Sequence, residues 1–298
     1  MRTIKLKVLS ALFAVALLAS CNEKSTPDSK LLLSGSGWNK IVMLDKQSKN
    51  IEWEYVLDKG TECNSLGFDK DGNIVFAYAK GAAKITPEKN IIWDIKSPEG
   101  TEMQTATVLD NGNTLIAWCG NPAKIMEVDD NGKIVSETTF DTGIEGPHSQ
   151  FRQITKNKKG NYMVPLFGAS ELCEVEPNGN LLKKVSVEGN PFSSLELPNG
   201  NYIVACGDAH SWVELDFEKG EVVKRVGEKD VENTQLFFVA QLYPSSNKGY
   251  YVCNWTGHAD KSLRKTNAQV FEIDANGQKI WELHDYDNLG MISTIAVQ

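Results

Sequence analysis

A short turn signature returns along this chain at nearly constant spacing, and it constrains the fold more than any other feature. The stretches CNSLGFDKDGNIVFAYAKGAAKITPEKNIIWDI from Cys63, MQTATVLDNGNTLIAWCGNPAKIMEVDDNGKIVSETTF from Met103 and PFSSLELPNGNYIVACGDAHSWVELDFEKGEVVKRV from Pro191 share one order. Each reads strand, Asn/Asp-Gly turn, strand, loop, strand, polar turn, strand. Two looser copies complete the series. The first-hairpin glycines are Gly72, Gly112, Gly160 and Gly200, and Lys248 beside Gly249 takes that place in the last copy, giving intervals of 40, 48, 40 and 48 residues. Such a period, with alternating apolar and polar residues as in Thr114–Trp118 and Ala123–Val128, predicts the four-stranded blade of a β-propeller. Asn-Gly and Asp-Gly pairs supply the positive φ that tight hairpins need.

The ends of the chain set the blade count. Leu31–Leu57 holds the last three strands of a unit but lacks the first, and Met291–Gln298 resembles a first strand alone. Joined, they make one blade and leave no open sheet edge. The sequence therefore predicts an all-β, six-bladed propeller over residues 31–298, closed by the C-terminal strand joining the N-terminal blade.

Residues 1–20 are set apart from that domain. Arg2, Lys5 and Lys7 precede an apolar run from Val8 to Ala19, the pattern of a secretory signal. The run is too short for a spanning helix. It ends Leu18-Ala19-Ser20-Cys21, which resembles the bacterial lipobox; the resemblance implies lipidation at Cys21. Residues 21–30 are polar and read as a flexible tether. Asn22 is not the aspartate associated with inner-membrane retention, so the expectation is a lipid anchor in the bacterial cell envelope, at the outer membrane.

Losing Arg2, Lys5 and Lys7 with the signal would take the formal charge from −8 to −11. So acidic a chain repels phosphate backbones and excludes nucleic acid as a partner. Apart from Cys21, the cysteines are Cys63, Cys119, Cys173, Cys206 and Cys253, an odd number without a CxxC spacing. They predict buried core thiols, not a disulfide framework or a metal-thiolate site.

The meander places both kinds of Asn-Gly turn on one face. The second-to-third-strand loops and the links between blades form the other, and all four histidines fall there. His148 is expected at the start of an innermost strand, His210 and His258 in loops of successive blades, and His284 after the last outer strand. Trp38, Trp118, Asn121, Phe167, Asp208, Trp255 and Asp260 share these loops. Polar groups on a concave loop face suit a small-molecule, glycan or protein ligand. The links also repeat a polar pattern ending in Asn64, Gln104, Gln150 and Gln235. These amides either ring the central channel as ligand contacts or join blade to blade. The candidate ligand contacts are thus His148, Gln150, Trp118, Asp208, His210, Trp255, His258, Asn64 and Gln104. No metal site is predicted, because His148, Asp208, His210 and His258 lack a diagnostic ligand spacing. No cofactor is expected, and the domain reads as a monomer.

Trp53, Trp93 and Trp281 recur in outer strands, where the pattern resembles the docking motif of quinoprotein-like, PQQ-type propeller repeats. The resemblance implies that each tryptophan packs on a neighbouring blade. Ser136, Lys183 and Lys224 stand at the other positions. The dehydrogenases carry adjacent cysteines and metal-binding residues at the cofactor; this chain has no Cys-Cys pair, so the non-catalytic lipoprotein relatives match better. A second resemblance, to arylsulfate sulfotransferases, rests on His148-Ser-Gln-Phe-Arg152. It implies a channel-facing nucleophile, His148, assisted by Arg152. The leading expectation is a non-catalytic binding protein; an envelope hydrolase or transferase using His148 and Arg152 is the alternative.

Overall fold

The computed structural model describes residues 28–58 and 61–298. The signal segment, Cys21 and most of the tether lie outside the described residues. The described chain forms six four-stranded antiparallel sheets. Blade 1 holds β1 (Lys30–Ser36), β2 (Lys40–Asp45) and β3 (Ile51–Val56). Blade 2 holds β4 (Cys63–Phe68), β5 (Ile74–Tyr78), β6 (Gly81–Ile85) and β7 (Ile91–Lys96). Blade 3 holds β8 (Glu102–Val108), β9 (Thr114–Cys119), β10 (Ala123–Val128) and β11 (Ile134–Phe140). Blade 4 holds β12 (Thr155–Lys156), β13 (Tyr162–Leu166), β14 (Glu171–Val175) and β15 (Leu181–Ser186). Blade 5 holds β16 (Ser193–Glu196), β17 (Tyr202–Ala205), β18 (Trp212–Asp216) and β19 (Glu221–Val226). Blade 6 holds β20 (Phe238–Pro244), β21 (Tyr250–Trp255), β22 (Val270–Ile273) and β23 (Lys279–Leu283), and β24 (Met291–Val297) completes blade 1.

The closure is as expected. β24 pairs antiparallel with β1, from Leu31 opposite Val297 to Ser36 opposite Met291. The folded domain reaches back slightly beyond the expected start at Leu31. Lys30 opens β1, and the Asp28 carboxylate accepts hydrogen bonds from the Tyr251 hydroxyl at 2.8 Å and the Ser246 amide at 3.0 Å.

Alternation within each strand sends apolar side chains into the seams between blades. Leu31, Leu33, Val42, Tyr251, Cys253, Ile292 and Ile295 make one such core between blades 1 and 6. The glycines of the hairpins take left-handed conformations, φ 80° at Gly72 and 86° at Gly112, as the turn chemistry requires. Lys248 adopts φ 61° in their place, and the glycine stands next to it, where a side chain at Gly249 would strike the Ile273 carbonyl oxygen. The five cysteines are buried and unpaired. Burial pushes the thiols of Cys63, Cys119, Cys173 and Cys206 up to about 12 and raises that of Cys253 further, so none is a ready nucleophile.

Outer strands dock on the turn of the next blade. The Trp53 indole N–H donates to the Pro87 carbonyl at 2.7 Å, and that of Trp281 to the Lys46 carbonyl at 3.1 Å. Trp93 lies against Gly132, where a Cβ would have no room. The three tryptophans join consecutive blades, 6 to 1, 1 to 2 and 2 to 3. Elsewhere Thr138 donates to the Pro177 carbonyl, and Lys183 donates to the Glu218 carbonyl at 2.6 Å. The seam between blades 2 and 3 is also locked by an ion triad. Lys84, 2% exposed, reaches Asp69 at 2.7 Å and Asp130 at 2.8 Å.

Candidate functional site at the channel mouth

The loop face gathers two carboxylate–imidazole pairs. The first begins at Glu102, the first residue of inner strand β8. Its Oε2 lies 2.9 Å from His148 Nδ1 and accepts from Gln104 Nε2 at 3.0 Å. The hydrogen bond from His148 holds the Glu102 carboxyl below the usual range, against the opposing effect of burial. Arg152 Nη2 lies 3.3 Å from His148 Nε2. A guanidinium can only donate. Nε2 is therefore the acceptor and Nδ1 carries the proton shared with Glu102. Arg152 is 4% exposed, donates to the Phe151 carbonyl at 2.9 Å, and stacks 4.5 Å from the centre of the Phe167 ring. Burial depresses its pKa, which neighbouring Glu102 and Glu62 partly restore.

The second pair joins blades 5 and 6. His258 Nδ1 contacts both oxygens of Asp208, at 2.9 and 3.1 Å. Its ring meets Trp255 edge-on at 4.8 Å and Phe238 at 5.6 Å. Trp255 donates its N–H to Ser36 Oγ on blade 1 at 2.8 Å. Phe238 stacks on Phe167 at 6.0 Å, so the aromatic rings run continuously from Arg152 to His258. Both imidazoles face solvent, their side chains 65% and 55% exposed.

Beside the first pair is a pocket of about 200 Å³ lined by Glu62, Asn64, Ala79, Glu102, Gln104 and His148, with Met103. Below it the channel is bridged. Gln153 Nε2, from the link into blade 4, donates to the Asn64 carbonyl of blade 2 at 2.7 Å and to Thr294 Oγ1 of blade 1 at 3.3 Å. Asn64 in turn donates to Gln104 at 3.3 Å and accepts from Ser293 at 2.8 Å. Asn64 and Gln104 thus sit at the channel as expected and tie blades together there.

Other sequence-predicted positions fall elsewhere. His148 lies in a 3-10 turn, Pro147–Ser149, and not on an inner strand, because the inner strand of blade 4 is cut to the two residues Thr155–Lys156. Gln150 is fully buried and away from the channel. Its amide clamps the loop after β9, accepting from Gly120 N at 2.8 Å and donating to the Gly120 and Ile144 carbonyls at 3.0 and 2.7 Å. Gln235 is exposed and bonds Glu228 at 3.3 Å. Trp118 packs in the seam of blades 2 and 3 with Lys124 over its ring. His210 is spent on the Phe237 carbonyl at 2.7 Å, and His284 on the Lys265 carbonyl at 2.8 Å. Glu62 and Glu102 were not singled out from sequence, although both stand third in the links Gly60–Asn64 and Gly100–Gln104. Phe238 carried no sequence signal. Among the described residues, no cluster of three or more His, Cys, Asp or Glu side chains could hold a metal ion.

A family model described as Mal s 1 allergenic protein-like matches residues 34–278. The chain belongs to this family. Within its fold, this Mal s 1-like protein is similar to a Bacteroides caccae protein of unknown function solved by crystallography. The two are 52% identical over 91% of this chain and 98% of that one, with a TM-score of 0.88. Virginiamycin B lyase from Staphylococcus aureus is 14% identical over 88% of this chain and 87% of its own, with a TM-score of 0.58. The WD40 propeller domain of Doa1 is 16% identical over 75% and 71%, with a TM-score of 0.57. At such identities the likeness shows the fold alone. No curated protein matches the sequence.

Proposed function

We propose that this Mal s 1-like propeller binds a hydroxyl-rich small molecule or glycan at its channel mouth and does not transform it. One observation carries the reading: two exposed carboxylate–imidazole pairs, drawn from several blades, are linked by packed aromatic rings, of which Phe167 and Trp255 are half-buried and Phe238 is buried. Sugar hydroxyls both donate and accept, which carboxylates and imidazoles complement, and sugar C–H faces pack on aromatic rings. The pocket beside the first pair supplies further carboxylate and amide groups, from Glu62, Asn64 and Gln104. The alternative, an envelope hydrolase or transferase, needs His148 Nε2 free to attack or take a proton. Here Nε2 accepts from Arg152 and Nδ1 is held by Glu102.

A thermal-shift screen of the mature chain against oligosaccharides, sulfate esters and peptides tests this reading. A ligand present at 100 times its Kd stabilises the native state by about 2.7 kcal/mol. The expected result is a shift with oligosaccharides that falls away in His258→Ala and Trp255→Ala, each weakening binding about tenfold or more. Turnover of a sulfate ester, abolished by His148→Ala, would instead establish the enzyme.

The same proposal places the protein in a bacterial cell envelope, anchored by lipid at Cys21, with quinoprotein-like repeats as its kin. The lipobox-like Leu18–Cys21 and the docked tryptophans support it. Cys21→Ala is expected to move the protein from the membrane to the soluble fraction and to abolish acyl labelling. Membrane retention of the variant with its label would refute lipidation there.

A further inference from the structure

The seam between blades 5 and 6 differs from the others. Register places Lys224 opposite Glu214, just as Trp53 lies opposite Met43, Trp93 opposite Lys84 and Trp281 opposite Glu272. Lys224 thus occupies the docking position, facing the turn Asp274–Gly277 of blade 6. Unlike Lys183, it makes no hydrogen bond to that turn. A pocket of about 410 Å³ is left where a tryptophan would dock. Ile203, Trp212, Tyr250 and Ile273 supply apolar surface on its walls, and Lys224 and Lys248 are on its lining.

The ionic groups are not equivalent. Asp274 accepts from the amides of Asn276 and Gln278 at 2.8 and 2.9 Å, and Asp230 from Gly227 N at 2.7 Å. Glu214 accepts from the Asn199 and Asn201 side chains at 3.2 and 2.7 Å, and Arg225 is paired with Glu188 at 2.7 Å. Among the described residues, the Lys224 and Lys248 ammonium groups have neither a hydrogen-bonded nor an ion-paired partner. The carboxylates serve local turns and side chains, while both ammonium groups keep their donors free.

We propose that this seam is a second binding site, separate from the channel mouth, for an indole-sized aromatic carboxylate. The ring would occupy the vacant docking slot. The carboxylate would take charge-assisted hydrogen bonds from Lys224 and Lys248.

Isothermal titration of the full mature chain with indole-3-acetate, indole and tryptamine tests this. Indole-3-acetate is expected to bind at least tenfold more tightly than tryptamine, with indole between them. Lys224→Trp fills the slot with the chain's own side chain; it should abolish binding and raise the Tm by a few degrees. Lys248→Ala, an exposed change, should weaken indole-3-acetate about tenfold and leave indole unchanged. His258→Ala should leave all three affinities unchanged, which separates this site from the mouth. Failure of all three compounds to bind, equal or tighter binding of tryptamine, or undiminished binding by a folded Lys224→Trp variant would overturn the proposal.

Discussion

A chain ending at Gly290 is expected to lose cooperative folding. The eight missing residues include all of β24, which places Ile292 and Ile295 fully buried in the core between blades 1 and 6. Truncating a buried isoleucine to alanine alone costs about 2–5 kcal/mol. Deleting the strand removes two, along with the ladder to β1, and opens an edge. That loss approaches or exceeds a typical domain stability of about 5–15 kcal/mol. Circular dichroism during urea titration checks it. A broad, non-cooperative profile, or recovery only in the insoluble fraction, is the expected result; a sharp transition at the wild-type midpoint would show that the ring does not need this strand.

Lys84→Met should be the most damaging conservative change outside the ends. It keeps the aliphatic stem and removes the charge that Asp69 and Asp130 share. Breaking a buried pair by removing one partner typically costs about 3–5 kcal/mol. The pH dependence has a definite sign. Burial works to raise Asp69, but hydrogen bonds from Lys84, Asn73 and the backbone outweigh it, and the folded-state pKa is lowered. Its stabilisation is therefore present above the unfolded carboxylate value of about 4 and lost as pH falls through the folded one. Burial works to lower Lys84, yet bonds to Asp130 and Asp69 raise it, so its contribution is fully present below about 10.4. The gap between urea melts of wild type and variant should be largest near neutrality and shrink as pH falls below about 4. A gap that does not shrink on acidification would contradict the assignment.

The blade count was legible because a strand period, a turn chemistry and a length must all agree. Gly72 and Gly112 mark the hairpins, and the surplus strand Met291–Gln298 fits the gap before Leu31. Trp53 and Trp281 dock as their recurrence implies, through indole N–H groups that reach the next turn. The site was less legible because loops obey no period. Between blades 3 and 4 the insertion Gly143–Gln153 shortens the inner strand to two residues, which shifts every inward position. Gln153, not Gln150, therefore bridges the channel. Gln150 is drawn off to satisfy the backbone at Gly120 and Ile144, a local demand that repeat spacing does not reveal. The sequence places Phe167 on this face, but its partner Phe238 heads the inner strand β20 of a distant blade, and nothing in its local sequence marks it. Glu62 and Glu102 could have been found, since they recur at one place in the link.

The direct measurement of the proposed function is amide hydrogen exchange on the full mature chain, with and without an oligosaccharide selected by thermal shift. Binding at the channel mouth protects the segments around Glu102, Pro147–Gln153, Gly207–His210 and Trp255–Asp260. The hairpins at Asp69–Asn73, Leu109–Asn113 and Leu197–Asn201 on the opposite face should exchange as before. Protection confined to those hairpins, with the loops unchanged, would contradict the assignment of the ligand to this face.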